Sequence, residues 1–244
     1  MNRYALLIDG SNISGEKHLP GAEKDVVSMR GYLMSPIGGS WYDDEIETIN
    51  QESIFKVNVK LERHKDDFCL VYFSGHGSEE IQGNPTICLN DNEKDVPVTS
   101  LYPASGYGIV ITDCCRGSGQ DTLNESVGNE NFSIKTASDK NKASRSLWDS
   151  ELKNCIGKRR LNGIVEMLSC SYNEDANETD PPDAHGYYSY ALIQAAKDWY
   201  ENVEPNSCLT TLQIHIAIYD YMVRQGQHPC YNPECLEYPF AVKA

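Results

Sequence analysis

Two short stretches of this chain place reactive side chains where they can do chemistry: Ser74-Gly75-His76-Gly77-Ser78 and Asp113-Cys114-Cys115-Arg116-Gly117. An imidazole changes charge near neutral pH, and a cysteine becomes a strong nucleophile once nearby cationic groups favour its thiolate. Within hydrogen-bonding reach of each other, His76 and Cys115 make a nucleophile with its proton carrier, which is the chemistry of covalent acyl transfer. The backbone N–H groups of Gly77 and Cys115 then fall where an oxyanion would form. Each stretch also has a plainer reading. A histidine between glycines is commonly a loop residue, and free cysteine is among the most buried residue types.

The elements that precede the two stretches join them. Phe68–Ser74 and Tyr107–Asp113 are continuous apolar runs of strand length, and each ends at one of the candidate residues. Tyr4–Asp9 and Gly163–Cys170 are similar runs, and Asp44–Ile49 is a further short strand. Helical spacing marks Ala22–Met34, Gln51–His64, Tyr187–Tyr200 and Leu209–Arg224. Alternating strands and helices predict an α/β sandwich with a mostly parallel sheet, and unbroken apolar strands agree, because parallel strands are covered on both faces. Binding sites in such sheets gather beyond the carboxyl ends of the strands. If the strands ending at His76 and Cys115 are neighbours, the two side chains face one another across a cleft. The whole of 1–244 fits a single domain, interrupted by a polar, aperiodic stretch at 117–145 that reads as a long loop.

Composition narrows the partners. Hydrophobic residues make up 40% and charged residues 23%, enough for a packed core. A formal charge of −15 opposes nucleic-acid binding, which needs clustered Lys and Arg, and suits a cationic peptide or a divalent metal. The leading apolar run, Tyr4–Ile8, is too short for a secretory signal, and no stretch approaches the ~20 apolar residues of a membrane span. The expected location is the cytoplasm, where the nine cysteines are thiols by default.

Tyr72-Phe73-Ser74-Gly75-His76-Gly77 followed by Asp113-Cys114-Cys115-Arg116-Gly117 resembles the caspase–metacaspase clan of cysteine peptidases, closest to the prokaryotic-type metacaspase-like enzymes. Caspases carry Gln-Ala-Cys-Arg-Gly with a histidine about 50 residues upstream. Here Asp-Cys replaces Gln-Ala, as in metacaspases, and the histidine lies 39 positions before Cys115. The likeness extends to Ala5–Gly10, Leu19–Asp25, Ser169–Glu178, His185–Leu192 and the C-terminal Gln227-His228-Pro229 and Tyr238-Pro239-Phe240. It implies a caspase-like α/β/α sandwich and an endopeptidase in which Cys115, rather than its neighbour Cys114, is the nucleophile and His76 its partner.

The same resemblance puts Asp25, Ser74 and Asp113 in the pocket for the side chain before the scissile bond. Two acids there select Arg or Lys, since carboxylates in a partly desolvated cleft pair strongly with a cation. Ala22 stands where many metacaspases have Cys, and Arg116 where they have His. Arg116 either favours the Cys115 thiolate or makes a structural hydrogen bond. The chemistry needs no cofactor. Calcium regulates many relatives, and Asp91, Asp95 and Asp121 are the candidate ligands here. Self-cleavage in the polar stretch would fall at Lys135, Lys140, Lys142 or Arg145. The implied partners are a protein substrate with a basic cleavage site and a regulatory protein, with no nucleic acid or membrane, and the implied state is a monomer. Two rival readings are a caspase-like scaffold that binds without cleaving and a protease that cuts after Asp.

Overall fold

The computed structural model describes residues 2–81, 84–116, 139–157, 163–179, 184–232 and 237–244. Its centre is a six-stranded sheet made of β1 (Arg3–Gly10), β2 (Ile46–Asn50), β3 (Phe68–Gly75), β7 (Tyr107–Asp113), β8 (Gly163–Leu168) and β10 (Cys230–Tyr231). The spatial order is β10-β8-β7-β3-β1-β2, and all neighbours are parallel except the short β10 on β8. This is the predicted α/β sandwich with a mostly parallel central sheet. β3 and β7 are indeed adjacent, in a register that sets Ser74 opposite Asp113.

Successive residues of β1 point to opposite faces of the sheet, as the strand period of two requires. Ala5 and Leu7 join one core, while Tyr4, Leu6 and Ile8 join another. The first core is closed by α1 (Pro20–Met34), α3 (Asp139–Gly157), α4 (Tyr187–Asn202) and α5 (Thr211–Arg224), through residues such as Met29, Trp148, Leu192 and Ile214. The second is closed by α2 (Ile54–Arg63), through Val57 and Leu61, and by a small antiparallel sheet of β4 (Gly77–Ile81), β5 (Asn84–Ile87) and β6 (Val96–Pro97). All eight residues of β3 are buried, as expected for a central strand covered on both sides. A separate ribbon pairs β9 (Ser207–Thr210) with β11 (Pro239–Lys243).

One expectation is corrected here. The polar stretch at 117–145 does not run as a loop to its end, because α3 begins at Asp139. The exposed polar residues of its first turns conceal the helical period. Trp148, farther along, anchors it: the indole packs edge-on against Trp41 and Phe68 at centroid distances of 5.5 and 5.4 Å, and the Arg3 guanidinium lies 4.9 Å from its ring.

Candidate active site

His76 follows directly on β3, and Cys115 lies two residues past β7. The backbone holds each of them. His76 N–H donates to Gly10 O at 3.2 Å, and His76 O accepts from Cys88 N–H at 2.9 Å. Gly75 crosses Gly10 so closely that a Cβ there would strike the Gly10 backbone, and its φ of +155° suits only glycine without strain. Gly77 is equally constrained, since a Cβ would overlap the Cys115 carbonyl oxygen and come within 3.0 Å of the Cys114 sulfur. The two candidate stretches are therefore in direct contact at the sheet edge.

The imidazole Nε2 of His76 lies 2.7 Å from the backbone carbonyl of Lys17. A carbonyl only accepts, so Nε2 carries the hydrogen and Nδ1 is the ring nitrogen able to take a proton. The two cysteines differ sharply. Cys114 is 3% exposed, and burial, then Cys170, Cys115 and Asp113, push its thiol well above the ordinary range. Cys115 is half-buried, with its Sγ facing the backbone of Ala176: the sulfur is 3.3 Å from Ala176 N–H and 3.5 Å from Ala176 O.

That segment, which follows β8, is fastened on both sides. Arg116 N–H donates to Glu174 O at 2.8 Å, and Arg116 Nη1 donates to Cys170 O at 2.8 Å. Arg116 is 9% exposed and makes the structural hydrogen bond that was one of its two expected roles. Asn177 N–H donates to Gln227 Oε1, and Glu178 Oε2 accepts from Gly21 N–H at the start of α1. Sequence reading marked Ser169–Glu178 by resemblance but gave Ala176 and Glu178 no role.

The structure also brings Asp25, Ser74 and Asp113 together. Asp25 Oδ2 accepts from Ser74 Oγ at 3.1 Å and from Gly186 N–H at 2.9 Å, while its Oδ1 lies 3.2 Å from His185 Nδ1. Asp113 Oδ2 accepts from both the N–H and the Oγ of Ser189, at 2.9 and 2.7 Å. Gly186 spans the two acids, for a Cβ there would overlap Asp113 Oδ2 and sit 2.7 Å from Asp25 Oδ2. Burial pushes the Asp25 carboxyl up to about 7 against the His185 hydrogen bond that lowers it, and the nearby Asp113 adds to the rise. Burial likewise raises Asp113 against its Ser189 bonds. His185, Gly186 and Ser189 were missed at the level of sequence, where only a family-like His185–Leu192 signalled the region.

Of the remaining candidates, Asp91 and Arg145 are engaged elsewhere. Asp91 uses both oxygens on Ser14, accepting from its N–H and its Oγ at 2.7 Å each. Among the described residues no group of three or more His, Cys, Asp or Glu could hold a metal ion. Asp121 and Lys135 lie outside the described residues. Lys140, Lys142 and Arg145 are helical rather than in a loop, and Arg145 is paired in bidentate fashion with Glu45 at 2.5 and 2.8 Å. All described cysteines are free thiols, and no described helix is long and apolar enough to cross a membrane.

A mostly parallel sheet flanked by helices brings the His76 and Cys115 stretches together at its carboxyl edge, where Gly77 meets the Cys115 carbonyl. The sequence matches the family model described as Caspase domain over residues 2–240, and the chain belongs to that family. In overall structure it is similar to caspase-1 from Spodoptera frugiperda, at 12% identity and a TM-score of 0.61, covering 99% of this chain and 92% of that one. No curated protein matches the sequence significantly.

The contact at Gly77 yields a direct test of the site's construction. Gly77→Ala forces a methyl group against backbone, which cannot swing aside as a flexible side chain would. The expected result is a stability loss of about 1–3 kcal/mol by urea denaturation. Displacing the Cys115 loop should also lower kcat/KM by about 100-fold or more. Stability and activity both at wild-type level would show that the two stretches are not in contact.

Proposed function

We propose that this chain is an endopeptidase that cuts after Arg or Lys, with Cys115 as nucleophile and His76 as its proton carrier. The observation that carries the specificity is the placement of two buried acids, Asp25 and Asp113, beside the nucleophile loop, Asp113 being two residues before Cys115. The bound substrate's carbonyl carbon is attacked by the Cys115 sulfur, and the C–N bond breaks as His76 gives its proton to the departing amine. The resulting thioester is then hydrolysed by water, with His76 accepting the water's proton, which regenerates the thiol. The tautomer fixed by Lys17 O leaves Nδ1 to carry that proton in both steps. Ala176 N–H is a ready donor to the sulfur as it gains negative charge.

The proposed self-cleavage narrows in the same way. A peptide enters a protease cleft extended, and α3 holds Lys140, Lys142 and Arg145 in helical form. Those three would have to leave the helix before being cut.

The acid pocket also sets a pH dependence. With its carboxyl raised to about 7, Asp25 is neutral below that value and loses its attraction for a cation. kcat/KM for Arg-ended peptides should therefore climb as pH rises through 7. A panel of fluorogenic peptides ending in Arg, Lys, Asp or Leu tests the specificity. Cleavage of Arg and Lys peptides is expected at least about 100-fold above the others. Preferential cleavage after Asp would overturn the role given to the two acids, and no cleavage of any peptide would favour a binding scaffold.

A further inference from the structure

Asp25 and Asp113 are 1% and 5% exposed, so a substrate cation reaches them only by competing with donors already in place. Those donors are unequal. Asp113 is held by Ser189 and Ser169, both neutral. Asp25 is held by Ser74 Oγ and Gly186 N–H, also neutral, and by the imidazole of His185. Among the described residues, His185 is the ionisable side chain that bonds to these acids. Its backbone is fixed by reciprocal bonds with Thr179, whose N–H donates to His185 O at 2.9 Å and whose Oγ1 accepts from His185 N–H at 3.0 Å. Its side chain borders a solvent-open groove of about 380 Å³ between α1 and α4, lined by Asp25, Ser28, Tyr190 and Lys197 among others.

From this geometry we infer that His185 is a positioning residue for substrate specificity: it holds the buried Asp25 carboxylate and favours its charged form, and so its readiness for a basic side chain. The inference rests on the proposed pocket and adds the group that tunes it. A carboxylate at this depth is costly unless a cation lies beside it. His185 Nδ1, 3.2 Å away, is a donor to that carboxylate and becomes such a cation when the ring is protonated. Asp113 at the end of β7 repels the Asp25 charge. Glu178 lies across the bridge from Gly186, with Lys17 and His18 beside Glu178 rather than beside Asp25. On α4, Tyr190 has its ring 6.3 Å from the imidazole, and Lys197 lines the groove.

The test separates charge from hydrogen bonding. His185→Asn places an amide N–H where Nδ1 stands, keeping a donor to Asp25 but never a charge. For an Arg-ended peptide, the rising limb of kcat/KM against pH is expected to move about one unit upward. The variant should then be about 10-fold weaker than wild type at pH 7 and within about twofold at pH 9, with the change in KM rather than kcat. A limb that stays in place, or a loss equal at every pH, overturns the inference. A second variant guards against a folding defect: His185→Gln, which also keeps an amide donor but no charge, should move the limb in the same direction, and a limb unmoved in both variants overturns the inference as well. Wild type showing no preference for basic peptides overturns the pocket and this role together, whereas preference with an unmoved limb overturns this role alone.

Discussion

Replacing Cys115 by alanine is expected to lower kcat/KM for an Arg-ended peptide by about 10⁴-fold or more, while Cys114→Ala lowers it by less than about tenfold. The two residues are neighbours in sequence and opposites in setting. The Cys114 thiol is buried among Cys170, Cys115 and Asp113, where a thiolate would be desolvated and close to a carboxylate. Its loss removes a small buried group and a little packing, at about 1 kcal/mol. The Cys115 sulfur lies at the open edge of the sheet against Ala176 N–H, and Gly77 touches its carbonyl. Without it there is no nucleophile for His76 to serve. Steady-state kinetics of the two variants, with circular dichroism to verify folding, checks the contrast. Equal losses in both variants, or a greater loss for Cys114→Ala, would reverse the assignment.

The second large effect has opposite signs in function and stability. Asp25→Asn should reduce kcat/KM for Arg-ended peptides by about 100-fold at pH 8, since a cation in a desolvated pocket loses its charged partner. At the same pH it should raise the melting temperature. The sign follows from linkage: the folded-state carboxyl is raised from the ordinary value to about 7, so the native chain binds more protons than the unfolded chain below that pH. Stability contributed by Asp25 is then greatest in acid and lost as pH rises toward 7. Asparagine removes the buried charge and keeps the shape. Its oxygen can accept from Ser74 and Gly186, and its amide faces His185 Nδ1. A gain of about 2 kcal/mol at pH 8, or about 4–8 °C, should fade toward pH 5. Thermal melts at both pH values check it. A variant less stable than wild type at pH 8 would mean that Asp25 is held charged by more than the contacts described.

The features that were legible in the sequence share a physical cause. Phe68–Ser74 and Tyr107–Asp113 are strands buried on both faces, and such strands must be continuously apolar, so their ends and the residues just beyond could be placed. His76, Cys115, Ser74 and Asp113 were singled out because family-like motifs sit at those ends, and Asp25 because Leu19–Asp25, running into α1, is family-like as well. The rest lacked a local signal. β6 and β10 are two residues each and exist only through their partners, so no period announces them. The first turns of α3 carry polar residues that look like loop. His185, Gly186 and Ser189 come to the acids from a segment 160 or more positions beyond Asp25, and Ala176 meets Cys115 through its backbone, which side-chain identity does not report.

The central claim is that Cys115, paired with His76, attacks peptides that present a basic residue. A peptide chloromethyl ketone ending in Arg measures it in one experiment, because the attacking thiolate displaces chloride and stays alkylated. Intact-mass and fragment analysis should find one adduct per chain, on Cys115, formed much faster than with the Asp-ended reagent and nearly abolished in His76→Ala. Modification of Cys114 or Cys230 in its place, or labelling indifferent to the Arg and to His76, would contradict the account.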